Sequence, residues 1–590
     1  MHDYPLPGDI RESHHRQGDD LLTAGLGLAG LRQARKPAVD DPSRPTPREL
    51  RRRAIHASWR SSADLDPDGG FGSVYGTVPD IPGREYHAFA SLPGARACHR
   101  VLLQAPDHFD HKRRCLVVTA SPGSRGIYGG IALAGAWALP RGCAVVYTDK
   151  GAGSGYFDAK SGTGVRLDGT RAIAGEAALE FAPTVDGTDA GIAIKHAHSG
   201  DNPEARWGDH VLQAMDFGLA MLDRAYPDAA PFTPANTRII ATGLSNGASA
   251  VLRAAGADVR QAFDAVVAAA PNVLVADGGR AFYDYTCEIA LWLGSALGSP
   301  SLIEVAKARH GNNLPDDLAW SETLADAGHL SSASPEARSQ EALERLLAAG
   351  WPPAALQAAL LTGDIETWRG AGAAYAGAYL RCPAGGLPGD ERFEALVPDA
   401  QGRLHSGGAA LRASWWPDAP GLPPSLGVVP TSLVAGQPLI ESVLRLQALA
   451  TGDDADACAL RNGIDATAAA LPHADLPLWI VHGEDDGLIP PAFSSLPYHA
   501  WLHAHGRHPI CWHVPHVQHF DALLGWPALA ARYLPLLPYA YAALDAAWMH
   551  LEAGQTHADD KAAPIRLPSR PRAGAPLSPT HLGLVAPPAT

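Results

Sequence analysis

Seven short apolar runs along the chain predict strands. They are residues 99–104 (HRVLLQ), 115–120 (CLVVTA), 143–148 (CAVVYT), 238–242 (RIIAT), 265–270 (AVVAAA), 478–482 (LWIVH) and 510–514 (ICWHV). Most are rich in β-branched residues, and none alternates cleanly with polar positions, which is the pattern of a strand buried on both faces. Between several of them lie runs with helical patterning, at 130–138, 210–225 and 248–255. Strands alternating with helices predict an α/β fold with a mostly parallel sheet covered on both sides.

The alternation stops near Asn272 and resumes near Leu476. The stretch between is Ala/Leu-rich and helical in pattern, for example at 335–349, 353–361 and 439–450, with turn-rich breaks such as 384–390. This predicts an insertion folding as a helical cap over the sheet. The resulting division is an N-terminal extension (1–69), a first core part (70–275), a helical cap (276–470), a second core part (471–550) and a Pro/Ala-rich tail (551–590). The extension is polar and Pro/Arg-rich with one expected helix at 47–58, and the tail is expected to be poorly ordered.

Composition narrows the function classes. With 590 residues the chain exceeds one ordinary core, and 46% hydrophobic with 18% charged residues suits a soluble enzyme. A net charge of -15 argues against a nucleic-acid partner, which demands concentrated Lys and Arg. No apolar run is long enough for a transmembrane helix, so no membrane partner is expected. The seven cysteines are scattered singly and odd in number, so they cannot all pair within the chain, and Cys115, Cys143 and Cys511, in strand-like runs, read as buried thiols. The first twenty residues are polar, so the chain reads as cytoplasmic. No pattern in the chain sets an oligomeric state.

One stretch carries chemistry. Residues 241–256 read ATGLSNGASAVLRAAG, with Gly243, Ser245 and Gly247 between the strand at 238–242 and the helix at 248–255. This fits G-x-S-x-G, the nucleophile elbow of the α/β-hydrolase fold, where a strained turn aims a serine hydroxyl out of the sheet. Glycines two residues before and after allow close backbone approach. In a chain with 61 glycines the five-residue pattern alone is weak, and its strand–turn–helix context is what gives it weight. The Asn246 N–H, at a helix start, is placed to face a developing oxyanion.

A serine hydroxyl needs a base, and in this fold the acid and the histidine follow in that order. Asp486, in the loop after the strand at 478–482, is the expected acid, with Asp485 as alternative. His519, after the strand at 510–514, is the expected base, with His516 as rival. The second oxyanion donor is expected from the loop after 115–120; Pro122 has no N–H, which leaves Gly123 or Ser124. Arg125 is a candidate for binding a substrate carboxylate, against a plain salt bridge to an acid such as Asp149. His196 with His198, and His499 with His503, lack the further ligands a metal needs, so no metal and no cofactor are expected. Trp415, Trp416, Phe282, Tyr283 and Tyr285 either line an apolar substrate slot or form core.

Seven segments then carry a resemblance: GFGSVYG at 70–76, SPGSRGIYG at 121–129, YTDKGAGSG at 147–155, KHAHSGDNP at 195–203, the GLSNG elbow, VHGEDDGLIP at 481–490 and VQHFD at 517–521. Together they resemble bacterial D-(-)-3-hydroxybutyrate oligomer hydrolases, from about Asp19 to about His550. The resemblance implies a serine esterase that cleaves dimers and short oligomers of 3-hydroxybutyrate, small-molecule esters from polyhydroxybutyrate breakdown, with Ser245 as nucleophile. Members are often secreted, so it also implies an extracellular alternative to the cytoplasmic reading. A generic carboxylesterase and a catalytically inactive α/β-hydrolase-fold binding protein are the rival readings. A tannase-like esterase would place cysteines where this chain has Leu244 and Gln518. A polymer depolymerase would want a surface-binding module larger than the tail.

Overall fold

The computed structural model describes residues 4–185, 191–310, 317–388, 391–398, 404–409, 412, 428–432, 439–553 and 563–584. In chain order its strands are β1 (Ile10–His15), β2 (Gly83–Ala90), β3 (His99–Pro106), β4 (Cys115–Ala120), β5 (Ala144–Thr148), β6 (Tyr156–Asp158), β7 (Thr163–Val165), β8 (Arg171–Ile173), β9 (Ile192–Ile194), β10 (Arg238–Leu244), β11 (Ala265–Ala269), β12 (Glu391–Pro398), β13 (Leu404–Ser406), β14 (Val428–Ser432), β15 (Leu478–Gly483), β16 (Ile510–Val514) and β17 (Ile565–Arg566). Ten of them form one sheet in the order β1-β2-β3-β5-β4-β10-β11-β15-β16-β17. The β1, β2 and β3 pairings are antiparallel, and every pairing from β5 to β17 is parallel. This is the α/β-hydrolase fold, and the seven strands expected from apolar runs all belong to this sheet.

Period-two alternation distributes each strand between two cores. On β4, Cys115 and Val117 pack on one face, and Leu116 and Val118 on the other. The second face is covered by the helices Trp207–Ala225 and Asn246–Ala257. The first is covered by residues 131–138, by the helix Pro47–Arg60 and by the helix Leu537–Ala553.

Three expectations about the outer segments need correction. The N-terminal extension is part of the core: β1 pairs with β2 along its whole length, and Leu21, Leu22, Ile55 and Trp59 are fully buried. Its helix starts one residue after Thr46, whose side chain accepts from the Glu49 N–H while Glu49 accepts from the Thr46 N–H. The tail is not wholly loose: β17 adds to β16, and Leu577 and Leu582 are buried against the same core. The insertion between β11 and β15 is not purely helical. It contributes β12, β13 and β14 to a second sheet, in the order β13-β12-β9-β6-β7-β8 with β14 on β12. That sheet is completed by β6 to β9, which come from the core segment between β5 and the helix Trp207–Ala225. The helices Phe282–Ala296, Pro335–Ala348, Pro353–Thr362 and Leu439–Thr451 pack together in a separate apolar cluster of the insertion.

Candidate active site

Ser245 sits between β10 and the helix Asn246–Ala257 at φ 61° and ψ -129°, a backbone region costly for a residue with a Cβ. The turn is held by the Ser245 N–H, which donates to Ala269 O on the neighbouring strand at 2.8 Å. The flanking glycines are required by contact. A Cβ on Gly243 would lie 2.3 Å from Gly247 O, and a Cβ on Gly247 would lie 2.3 Å from Ala120 O at the end of β4. The turn therefore closes only if both positions lack side chains.

Asp486 follows β15 and His519 follows β16, so the structure brings Ser245, His519 and Asp486 to the same end of the parallel sheet. His519 Nε2 is 2.9 Å from Ser245 Oγ, and His519 Nδ1 is 2.7 Å from Asp486 Oδ2. Burial alone would raise the Asp486 carboxyl pKa. Electrostatic interaction with the His519 ring, and hydrogen bonds from His482 and His519, outweigh it and hold the carboxyl well below the usual range. Ionised, Asp486 only accepts, which assigns the proton to His519 Nδ1 and leaves Nε2 to accept from the serine hydroxyl. The other carboxylate oxygen accepts from the N–H groups of Leu488 (2.9 Å) and Ile489 (2.7 Å).

The alternatives lie together elsewhere. Asp485 is raised by its own burial, an effect opposed by the charge of His516 beside it. Among the described residues neither one bonds Ser245 or His519. His516 is at φ 61°, in the tight turn that precedes His519.

A cavity of about 170 Å³ opens over Ser245 and His519, lined also by Gly123, Ser124, Arg125, Asn246, Phe282 and Tyr375. A Cβ on Gly123 would lie 3.1 Å from Asn246 Cβ, so the two loops expected to supply oxyanion donors face each other closely. Among the described residues the N–H groups of Gly123 and Ser124 are not spent on backbone carbonyls, and that of Asn246 is at the unpaired start of its helix. Arg125 lines the cavity, donates to Ser61 O at 3.3 Å, and is pushed by burial down to about 10. Asp149, weighed as its partner, accepts from Ser154 Oγ at 3.0 Å and feels the charges of Lys195, Glu180 and Arg100.

The remaining candidates separate. Phe282 faces the cavity, whereas Tyr283 and Tyr285 are buried in the insertion's core. Trp415 and Trp416 lie outside the described residues. His196 bonds Glu204 at 2.7 Å, and the Ile194 N–H donates to His198 Nδ1 at 3.0 Å. Among the described residues no three His, Cys, Asp or Glu side chains converge as metal ligands, and no helix is long and apolar enough to cross a membrane.

Sequence reasoning gave no role to His482. Its Nε2–H donates to Ile489 O at 2.9 Å and towards Asp486 Oδ2 at 3.2 Å, and its Nδ1 accepts from Ser495 Oγ at 2.7 Å. The only sequence signal for this brace is a histidine ending an apolar strand, a place where an unpartnered imidazole would be costly. Ser61 and Ser62, from the N-terminal segment, also reach the cavity and carried no signal at all.

Known proteins bear on this site through sequence. The chain is 35% identical to the D-(-)-3-hydroxybutyrate oligomer hydrolase of Paracidovorax citrulli, over 93% of this chain and 87% of that one. It is 32% identical to the protein of the same name from Polaromonas naphthalenivorans, over 92% and 86%. Solved structures are more distant. Feruloyl esterase B from Aspergillus oryzae aligns at 11% identity and a TM-score of 0.33, covering 76% of each chain. The rice cell wall degrading esterase LipA from Xanthomonas oryzae aligns at 10% and 0.32, covering 82% of this chain and 92% of that one. These likenesses add nothing to the topology above. The sequence pattern of the 3HB-oligomer hydrolase family matches residues 8–428 and 421–583, and the chain belongs to that family.

Proposed function

We infer that this protein is a serine esterase that hydrolyses the ester bonds of 3-hydroxybutyrate dimers and short oligomers, releasing 3-hydroxybutyrate in polyhydroxybutyrate breakdown. The observation that carries the reading is the hydrogen-bonded series Ser245–His519–Asp486, whose first two members line a cavity, in a chain of this family.

His519 Nε2 takes the Ser245 proton as Oγ attacks the ester carbonyl. Asp486 holds the ring in the required tautomer and stabilises the imidazolium. The N–H of Asn246 and that of Gly123 or Ser124 stabilise the oxyanion, and His519 returns the proton to the leaving alcohol. Water, deprotonated by His519, then releases the acyl group. A 3-hydroxybutyrate oligomer ends in a carboxylate, and Arg125 is the cation of the cavity wall suited to receive it.

The test is product analysis by liquid chromatography with the R,R dimer and, separately, p-nitrophenyl butyrate, for the wild type and Ser245→Ala. Release of 3-hydroxybutyrate that vanishes in the variant is expected. Cleavage of the nitrophenyl ester alone moves the protein to the generic carboxylesterases. Turnover of neither returns the inactive binding-protein reading.

A further inference from the structure

Tyr375 lies on the helix Ile365–Tyr379 of the insertion, far along the chain from Ser245, Asp486 and His519. Its side chain is 2% exposed and lines the cavity that holds Ser245 and His519. A Cβ on Gly123 would lie 3.3 Å from the Tyr375 hydroxyl oxygen and 3.1 Å from Asn246 Cβ. The hydroxyl is therefore beside Gly123, on the loop that faces Asn246 and is expected to supply an oxyanion N–H.

A buried polar cluster stands behind it, and three of the segments that carried the family resemblance supply its Lys150, His196 and Asn246. The Lys150 ammonium donates to a Glu204 carboxylate oxygen and to Asn246 Oδ1, and reaches the Tyr375 oxygen at 3.5 Å. His196 Nε2 lies 2.7 Å from the same Glu204 oxygen. Asn246 Nδ2 donates to Glu204 Oε2 and to Asn272 Oδ1, each at 3.1 Å. Both ends of the Asn246 amide are thus occupied within the protein, and only its backbone N–H remains for substrate.

Tyr375 is in the opposite condition. An ammonium can only donate, so Lys150 uses the phenol oxygen as an acceptor and leaves its proton unspent. Among the described residues that proton has no acceptor. Burial, with the Glu204 charge adding to it, raises the phenol pKa well above its ordinary value, so the proton is present at neutral pH. A nearby cation polarises the O–H bond and makes it a better donor.

We propose that Tyr375 is a catalytic residue whose hydroxyl donates a hydrogen bond to the ester carbonyl oxygen as it becomes the oxyanion, adding a donor from the insertion to those of the sheet loops. The proton stays on Tyr375 throughout, and no bond to it breaks. The proposal rests on the serine-esterase reading but not on the oligomer substrate.

Tyr375→Phe removes the hydroxyl and keeps the ring that packs on Phe282 (centroids 4.9 Å apart) and His196 (5.1 Å). Using the full chain, kcat and KM are measured separately for p-nitrophenyl butyrate and the R,R dimer, with thermal melting as the folding control. The expected result is a fall in kcat of about 100-fold on the nitrophenyl ester, with KM within about twofold and an unchanged melting temperature. Affinity for butylboronic acid, which forms a tetrahedral adduct with the serine, is expected to weaken about 100-fold as well. Unchanged kcat and boronate affinity overturn the proposal, and so does a rise in KM alone, which would make Tyr375 a ground-state binding group. A wild type that cleaves only the nitrophenyl ester refutes the oligomer reading and still decides Tyr375. A wild type that cleaves neither ester refutes both.

Discussion

On one side of the cavity, Ser245 and His519, with Asp486 behind His519, sit on loops leaving β10, β16 and β15 at the same end of one parallel sheet. On the other, Ser62, Phe282 and Tyr375 arrive from an N-terminal helix end and from two helices of the insertion. The sheet side is organised by strand order, so its chemistry falls at predictable points, just past strand ends. The insertion side has no such rule, because helices packed on a surface approach it from any direction. On the proposed mechanism the reacting groups therefore belong to the sheet side, and the insertion side is left to shape the cavity and, through Tyr375, to add a donor.

Substitutions on the sheet side should have the largest effects. Ser245→Ala is expected to lower kcat by about 10^6-fold in the chromatographic assay, the oxyanion donors leaving a small residual rate above that in water. Asp486→Asn should cost about 10^4-fold, because an amide cannot hold His519 in the required tautomer, and the pH–rate profile should change shape with it. A variant retaining a tenth of wild-type kcat in either case would exclude the substituted residue from the reacting groups.

The insertion side should respond differently. Phe282→Ala is expected to raise KM for the dimer about tenfold while leaving kcat for p-nitrophenyl butyrate near the wild-type value. A fall in kcat on both esters would show that the insertion shapes the transition state generally rather than through Tyr375.

The smallest effect concerns stability. Asp521, two residues past His519, is raised by burial to about 7, although the N–H groups of Leu536 and Leu537 oppose the shift. Its folded pKa exceeds the unfolded value of about 4, so the folded state binds more protons between those two values. The stability it contributes is present below about pH 4 and lost as pH rises through about 7. Melting temperature against pH should show this component in the wild type and lack it in Asp521→Asn. A parallel pair of curves would place the carboxyl in its ionised form throughout.

Legibility followed the same division. The apolar runs at 115–120 and 265–270 mark β4 and β11 because a strand buried on both faces has few places for a polar side chain. β2 gave no such signal, since it reads GREYHAFA. Its Glu85 is nonetheless 3% exposed, bonded to Arg51 at 2.8 Å, to Gln104 and to Tyr128, partners contributed by three other segments. A buried charge looks like surface in a sequence until its partners are known. The second sheet escaped notice for another reason: β6, β7, β8, β9 and β13 are three residues each, too short to show a period.

What the sequence determined by itself is the parallel core and the points where its loops carry a serine, an acid and a histidine. Those depend on local rules: a both-face apolar run makes a strand, and two glycines permit one strained turn. Between Asp485 and Asp486, or between His516 and His519, sequence position supplied a preference, and the bonds at 2.7 and 2.9 Å exist only in the assembled molecule. Tertiary structure alone decided that an N-terminal strand and a C-terminal one extend the sheet at its two edges, that Lys150 and Glu204 are buried behind Asn246, and that Tyr375 reaches the cavity. The physical reason is range. Turn sterics and strand burial act between near neighbours in the chain, whereas desolvated charges and packed aromatic rings take their partners from wherever the fold brings them.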